Sequence, residues 1–112
     1  MAVSEDYLAF VNDQLTEVEG YYHKKMFGGV GYFVDDYMFG AIMDNVFRLK
    51  ADEETAPRYA AHDCGPHEIK SRNMTMPYYE VPQHVLEDRS ALNDWVNEAI
   101  EVAKRTKKKK KK

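Results

Sequence analysis

"KKMFGGVGYFVDDYMFG", residues 24–40, is the stretch on which the fold turns. Gly28, Gly29 and Gly31 stand there beside two Met-Phe-Gly triplets, and they either cradle a phosphate or shape a sheet. A dinucleotide fingerprint beginning at Gly29 needs glycine or alanine at position 34, where Val34 stands. It also needs a helix next, whose N-terminus meets the pyrophosphate. The chain runs instead through "GVGYFV", an Asp35-Asp36 pair and "YMFGAIM", which is a hairpin pattern. The Gly-Lys-Ser/Thr of a P-loop occurs nowhere in the chain. The glycines therefore read as backbone devices: a bulge, a tight strand entry, or the close approach of a covering helix.

Reading outward, Asp44-Asn45 separates "YMFGAIM" from "VFRLK", which makes a three-stranded antiparallel meander. In the third strand Phe47 and Leu49 alternate with Arg48 and Lys50, one buried face and one wet face. "ADEETAPRYAAHDCG" predicts a short helix in which Pro57 is tolerated near the start. "HEIKS" and "MTMPYYEV" predict a second hairpin around Arg72-Asn73, with Pro77 pushing the last strand toward an edge or a bulge. Upstream, Ser4 is placed to cap a helix whose apolar stripe is Leu8, Val11, Leu15 and Val18, stopping near Gly20. Downstream, Asp88 or Ser90 caps a second amphipathic helix through Leu92, Trp95, Val96, Ala99, Ile100 and Ala103. The order is α-β(3)-α-β(2)-α, an α+β fold with an antiparallel sheet covered by helices.

The chain has 112 residues, enough for one compact domain. A single cysteine, no apolar run of membrane-spanning length and an N-terminus unlike a signal peptide predict a cytoplasmic protein with no membrane contact. Before residue 104 there are eight basic and nineteen acidic residues, a net charge of −11, and the last nine residues carry +8. We therefore expect one domain over residues 1–103 and a disordered basic tail over 104–112. Nucleic acid could meet this protein only through that tail, at Lys107, Lys108, Lys109 and Lys110, because an acidic body repels phosphate.

Candidate chemistry is sparse, and no cofactor is expected. His62, Asp63, Cys64 and His67 lie close in sequence, with His23 or His84 able to join only if the fold brings them near. A structural zinc site needs four ligands, commonly two separated pairs, and a second Cys pair is missing. A Cys64 nucleophile with His62 or His67 as base is the alternative enzyme reading, and short sequence spacing alone does not align a proton transfer. The plainer reading is a polar loop. Partner contact is expected instead at Tyr78, Tyr79, Arg48 and Lys50: one tyrosine of "PYYEVP" in the core and one on the surface, beside a small basic patch with Lys24 and Lys25.

"KKMFGGVGYFVDDYMFGAIMDNVFRLKADEE", then "MPYYEVP", then "ALNDWVNEAIEVAKR" resemble the N-terminal domain of the TfoX (Sxy) family of bacterial competence regulators, from about Leu8 to Arg105. The resemblance implies the fold order given above, related to secretion-chaperone-like folds. It further implies a non-enzymatic module in transcription regulation. Full-length members act with the cyclic-AMP receptor protein on DNA-uptake genes and carry a second, helical domain, where this chain offers lysines in a stand-alone copy. The expected partner is another protein.

Overall fold

A computed structural model describes residues 4–26, 29–43, 45–69 and 74–110. Helix α1 spans Glu5–Gln14, and Ser4 caps it by accepting a hydrogen bond from the Tyr7 N–H at 3.4 Å, with Glu5 and Asp6 at the positive end of the dipole. The helix stops earlier than its apolar stripe suggests. Leu15 closes it, Leu15 and Val18 stay buried through a turn, and Gly20, at φ +73°, redirects the chain. Buried Gln14 is satisfied by donating to the Leu86 carbonyl at 2.9 Å, which ties α1 to the far end of the chain.

Among the described residues the sheet has six strands rather than five: β1 (Tyr21–Met26), β2 (Gly29–Val34), β3 (Tyr37–Met43), β4 (Val46–Lys50), β5 (Pro66–Ile69) and β6 (Met74–Glu80). Their spatial order is β1-β2-β3-β4-β6-β5, and every pairing is antiparallel. The unexpected strand is β1, "YYHKKM", whose polar composition masks its alternation. Asp35 and Asp36 form the β2–β3 tip as expected, both with positive φ (51° and 66°), the handedness that a two-residue hairpin turn needs.

The glycine question also resolves. Gly29 opens β2 and Gly31 sits in its middle, while Gly28 falls outside the described residues. The irregularity between β2 and β3 lies at Tyr32/Phe33, opposite Gly40. A Cβ on Gly40 would stand 2.8 Å from the Arg48 carbonyl oxygen, so the backbone makes a close approach at that glycine. Of the two places open to Pro77, the structure takes the bulge. Strand β6 is interior, and its ladder with β5 jumps from Pro66↔Tyr79 to His67↔Met76 around the proline. The Pro77 carbonyl still accepts from the Ala51 N–H at 3.0 Å.

Helix α2 (Ala56–Ala60) comes after β4, with Pro57 in its first turn. A four-residue helix, α3 (Gln83–Leu86), precedes α4 (Arg89–Lys110). Asp88 caps α4 by accepting from the Ser90 and Ala91 N–H groups at 3.1 and 3.2 Å. The backbone of α4 continues past residue 103 through Lys110, so the helix enters the stretch expected to be a disordered tail. Arg105 reaches back to Asp52 at 2.7 Å. Among the described residues no helix is long and apolar enough to cross a membrane.

One hydrophobic cluster joins buried residues of the four described helices to a single face of the sheet, through Val30, Tyr32, Phe39, Ile42, Phe47 and Leu49, while Val102, Ala41 and Tyr78 are buried outside it. The opposite face stays outside that cluster, and this asymmetry positions the candidate site.

Candidate functional site

The open face can be traced from the register. Side chains alternate along each strand, so residues paired across neighbouring strands share a face. Lys24, Gly31, Ala41, Arg48 and Glu80 therefore form one row across β1, β2, β3, β4 and β6. Beside it stand Tyr22, Phe33 and Met38, with the Tyr22 and Phe33 rings stacked at 5.3 Å and the Lys24 ammonium 5.6 Å above the Phe33 ring. On the other side Met43 faces Val46. Phe33, Met38, Met43 and Val46 are all half-buried, and Tyr22 is an exposed large side chain. Ala41 and Tyr78 on the same face are buried, so the exposed apolar surface there is centred on Tyr22.

Of the four residues expected to contact a partner, Arg48, Lys50 and Tyr78 lie on this face and Tyr79 does not. Tyr79 pairs with Leu49, points into the core and packs on Tyr59 at 5.4 Å. Tyr78 pairs with Lys50, whose ammonium lies 5.3 Å over its ring. Though outside the main cluster, Tyr78 is 6% exposed, and burial pushes its hydroxyl up to about 12. Lys25 pairs with Val30 and faces the covered side, so it leaves the basic patch, whereas Lys24 stays in it. The Nε of Arg48 is buried and has no hydrogen-bond partner among the described residues. Lys107 to Lys110 continue α4, and their side chains are outside the described ones.

A second feature is an open cleft of about 550 Å³ lined by His62, Cys64, Glu80, His84 and Glu87, among others. The short α3, which sequence periodicity misses, brings His84 to His62 with ring centroids 5.1 Å apart. His62 also leans on Trp95 at 5.6 Å, and Trp95 in turn carries the Arg58 guanidinium at 4.1 Å. The chemistry this arrangement offers is limited. Among the described residues no group of three or more His, Cys, Asp or Glu is set to hold a metal, and the His67 side chain lies outside them. Burial, Glu80 and Asp63 push the Cys64 thiol up, away from the thiolate that a nucleophile requires. Its Sγ rests 3.6 Å from the His62 carbonyl oxygen.

Comparison with known families places this architecture. A family model, the TfoX N-terminal domain, matches residues 13–103. The chain belongs to that family. As a TfoX N-terminal domain it has its family match running from the end of α1 to well inside α4, and the match takes in every strand of the sheet. The open face and the histidine cleft both fall within it, whereas the Arg105–Asp52 contact and the lysine run fall beyond its end. No curated protein matches the chain. The family is a regulatory type of module, and its membership agrees with the modest chemistry of the cleft.

Proposed function

We propose that this TfoX N-terminal domain is a non-enzymatic regulatory module, working in the cytoplasm in transcription regulation of the competence type, and that it docks another protein on the open face of its sheet. One observation carries the reading. The described helices send their clustered buried residues to one side of the sheet, while on the other side Tyr22 is exposed and Phe33, Met38, Met43 and Val46 stay half-buried around a buried Ala41. Burying such groups against a partner is favourable at roughly 25 cal/mol per Å² of apolar surface. The cleft supports an enzyme far less, because the Cys64 thiol is shifted in the wrong direction for nucleophilic work.

The test is photo-crosslinking in cells, with a benzophenone side chain placed at Phe33 on the open face or at exposed Asn97 on α4. A discrete protein adduct from position 33 and none from position 97 is the expected result. Equal adducts from both positions, or none from position 33, would remove the reading.

A further inference from the structure

Strand β1 ends the sheet on one side, and its ladder has β2 as the sole neighbour among the described residues. Along such an edge every second residue turns its N–H and C=O away from the sheet. Tyr22, His23, Lys24 and Lys25 are all exposed, although they alternate between the two faces. His23 and Lys25 are open even on the side that the helices cover, so the helical layer stops short of this edge at those positions. The opposite edge is a poorer template. Strand β5 has four residues and begins with Pro66, which has no N–H to donate.

Side chains decide what can pair along β1. Arg58, Arg89 and Arg105 are held by Glu98, Asp13 and Asp52, whereas Lys24 and Lys25 form no ion pair among the described residues. Acid lies toward the other end of the strand. Glu19 comes shortly before it in the chain, and Asp36 accepts from the Tyr22 hydroxyl at 2.7 Å. The edge is thus basic toward Met26 and acidic toward Tyr21. Between these ends Tyr22, 37% exposed and stacked on Phe33, offers a fixed ring to a cross-strand neighbour. Lysines on an edge strand block self-pairing. They do so here, because an antiparallel match of β1 with its own copy sets lysines opposite or diagonal to lysines. The same charges favour a strand that carries carboxylates.

Resting on the docking reading above, we propose that the partner enters as an added strand on the outer edge of β1: an extended segment with two successive carboxylates opposite Lys24 and Lys25 and an apolar side chain opposite Tyr22. Successive strand residues point to opposite faces, so two adjacent carboxylates reach one lysine each. Backbone bonds to the edge supply affinity, and the side chains set the register. Added antiparallel, like every other pairing of this sheet, the segment reads acid-acid-x-apolar from its N-terminus. The acidic body opposes it at long range, and salt screens that opposition beyond a Debye length of about 8 Å, so the contact charges decide.

The probes are short labelled peptides of that pattern in a Thr/Val background, with Glu-Glu, Gln-Gln or Lys-Lys as the charged pair, read by fluorescence anisotropy on the full chain. The Glu-Glu peptide is expected to bind about ten-fold more tightly than the Lys-Lys one. Lys24→Glu with Lys25→Glu should invert that order, and Lys24→Gln with Lys25→Gln should flatten it, with circular dichroism confirming the fold of each variant. N-methylation of the Glu-Glu peptide at one alternate set of amides should abolish binding, and at the other set leave it, because one set faces the edge. Equal binding of the three peptides, binding of none, an order unchanged by charge reversal, or indifference to methylation overturns the inference. So does a dimer in solution that the Glu-Glu peptide dissolves, since it seats a second copy on the edge. If Phe33 still crosslinks a discrete protein while the peptides fail these tests, the docking reading stands and the added strand falls. Absence of both signals removes both.

Discussion

On β4, Phe47 and Leu49 are sealed beneath the helices, while Arg48 and Lys50, their immediate neighbours, look to the other side. The two faces of the sheet are built from the same strands and differ in what stands opposite. On the covered side Tyr32 meets Phe47 edge to face at 5.5 Å and gives its hydroxyl to Asn12 Oδ1 at 2.8 Å, so even the polar atoms are used within the chain. On the open side aromatics stack on each other and on lysines, and the Arg48 Nε finds no partner among the described residues. The covered face is complete for folding. The open face is less complete: Tyr22 is exposed and Phe33, Met38, Met43 and Val46 are half-buried, although Ala41 and Tyr78 are buried there.

The largest expected effect breaks the covered face. Phe47→Ala removes a fully buried ring from the cluster and should cost about 3–5 kcal/mol in urea unfolding. Phe33→Ser on the open face should stay within about 1 kcal/mol of the parent. Comparable losses would mean that both faces serve stability, and the contrast would be gone. Alkaline pH gives the next measure. Burial raises the hydroxyls of Tyr32 and Tyr59 on the covered side and takes that of Tyr78 to about 12 on the other. A folded value above the unfolded value of about 10 gives stability that is intact below pH ~10 and lost as pH rises toward the folded value. These tyrosines should therefore leave stability level from neutral pH to about pH 10 and make it fall above that. Tyr78→Phe should remove on the order of 2 kcal/mol of that fall by pH ~12. Denaturant curves between pH 9 and 11.5 track the onset, and a variant whose slope matches the parent's would show that Tyr78 is open to water. A smaller effect tests Gly40, where the backbone makes a close approach. Gly40→Ala puts a methyl against the Arg48 carbonyl and the Leu49 side chain, at a cost of about 1–2 kcal/mol.

Much of this was legible in the sequence where period and turn chemistry agreed. Phe47 and Leu49 alternate with charge, Asp35-Asp36 can take positive φ, and Leu92 to Ala103 repeat at helical spacing, and each became the expected element. Strand β1 was not legible, because two lysines and a histidine in "YYHKKM" resemble a loop until pairing with β2 gives them a face. Helix α3 is too short for periodicity to register, so the meeting of His84 with His62 depended on tertiary structure. The open face was half legible. Arg48, Lys50 and a surface tyrosine were expected together, but Tyr78, which shares their face, is buried and Tyr79 packs on the core side, a placement set by the long-range register with β4. Pro77 marked an irregularity without saying which kind, since a proline deprived of its N–H fits an edge and a bulge equally well.

The smallest effect sharpens where the body ends. Burial works to raise the Asp52 carboxyl, but hydrogen bonds from Arg105 and from the Thr55 and Glu54 N–H groups outweigh it and hold the group below its usual range. A depressed folded value gives stability that is present above the unfolded value near pH ~4 and lost as pH falls through the folded one. Asp52→Asn keeps the oxygen that accepts from the Glu54 and Thr55 N–H groups and removes the charge facing Arg105. Its thermal midpoint at pH 7 should drop slightly, and its decline between pH ~4 and ~2 should be shallower than the parent's. Arg105→Gln should reproduce that shallower acid limb, because the two side chains act as one pair. If Arg105→Gln leaves the acid limb untouched, Arg105 is not docked on the sheet-to-helix turn, and the folded body ends where the family match ends, at residue 103.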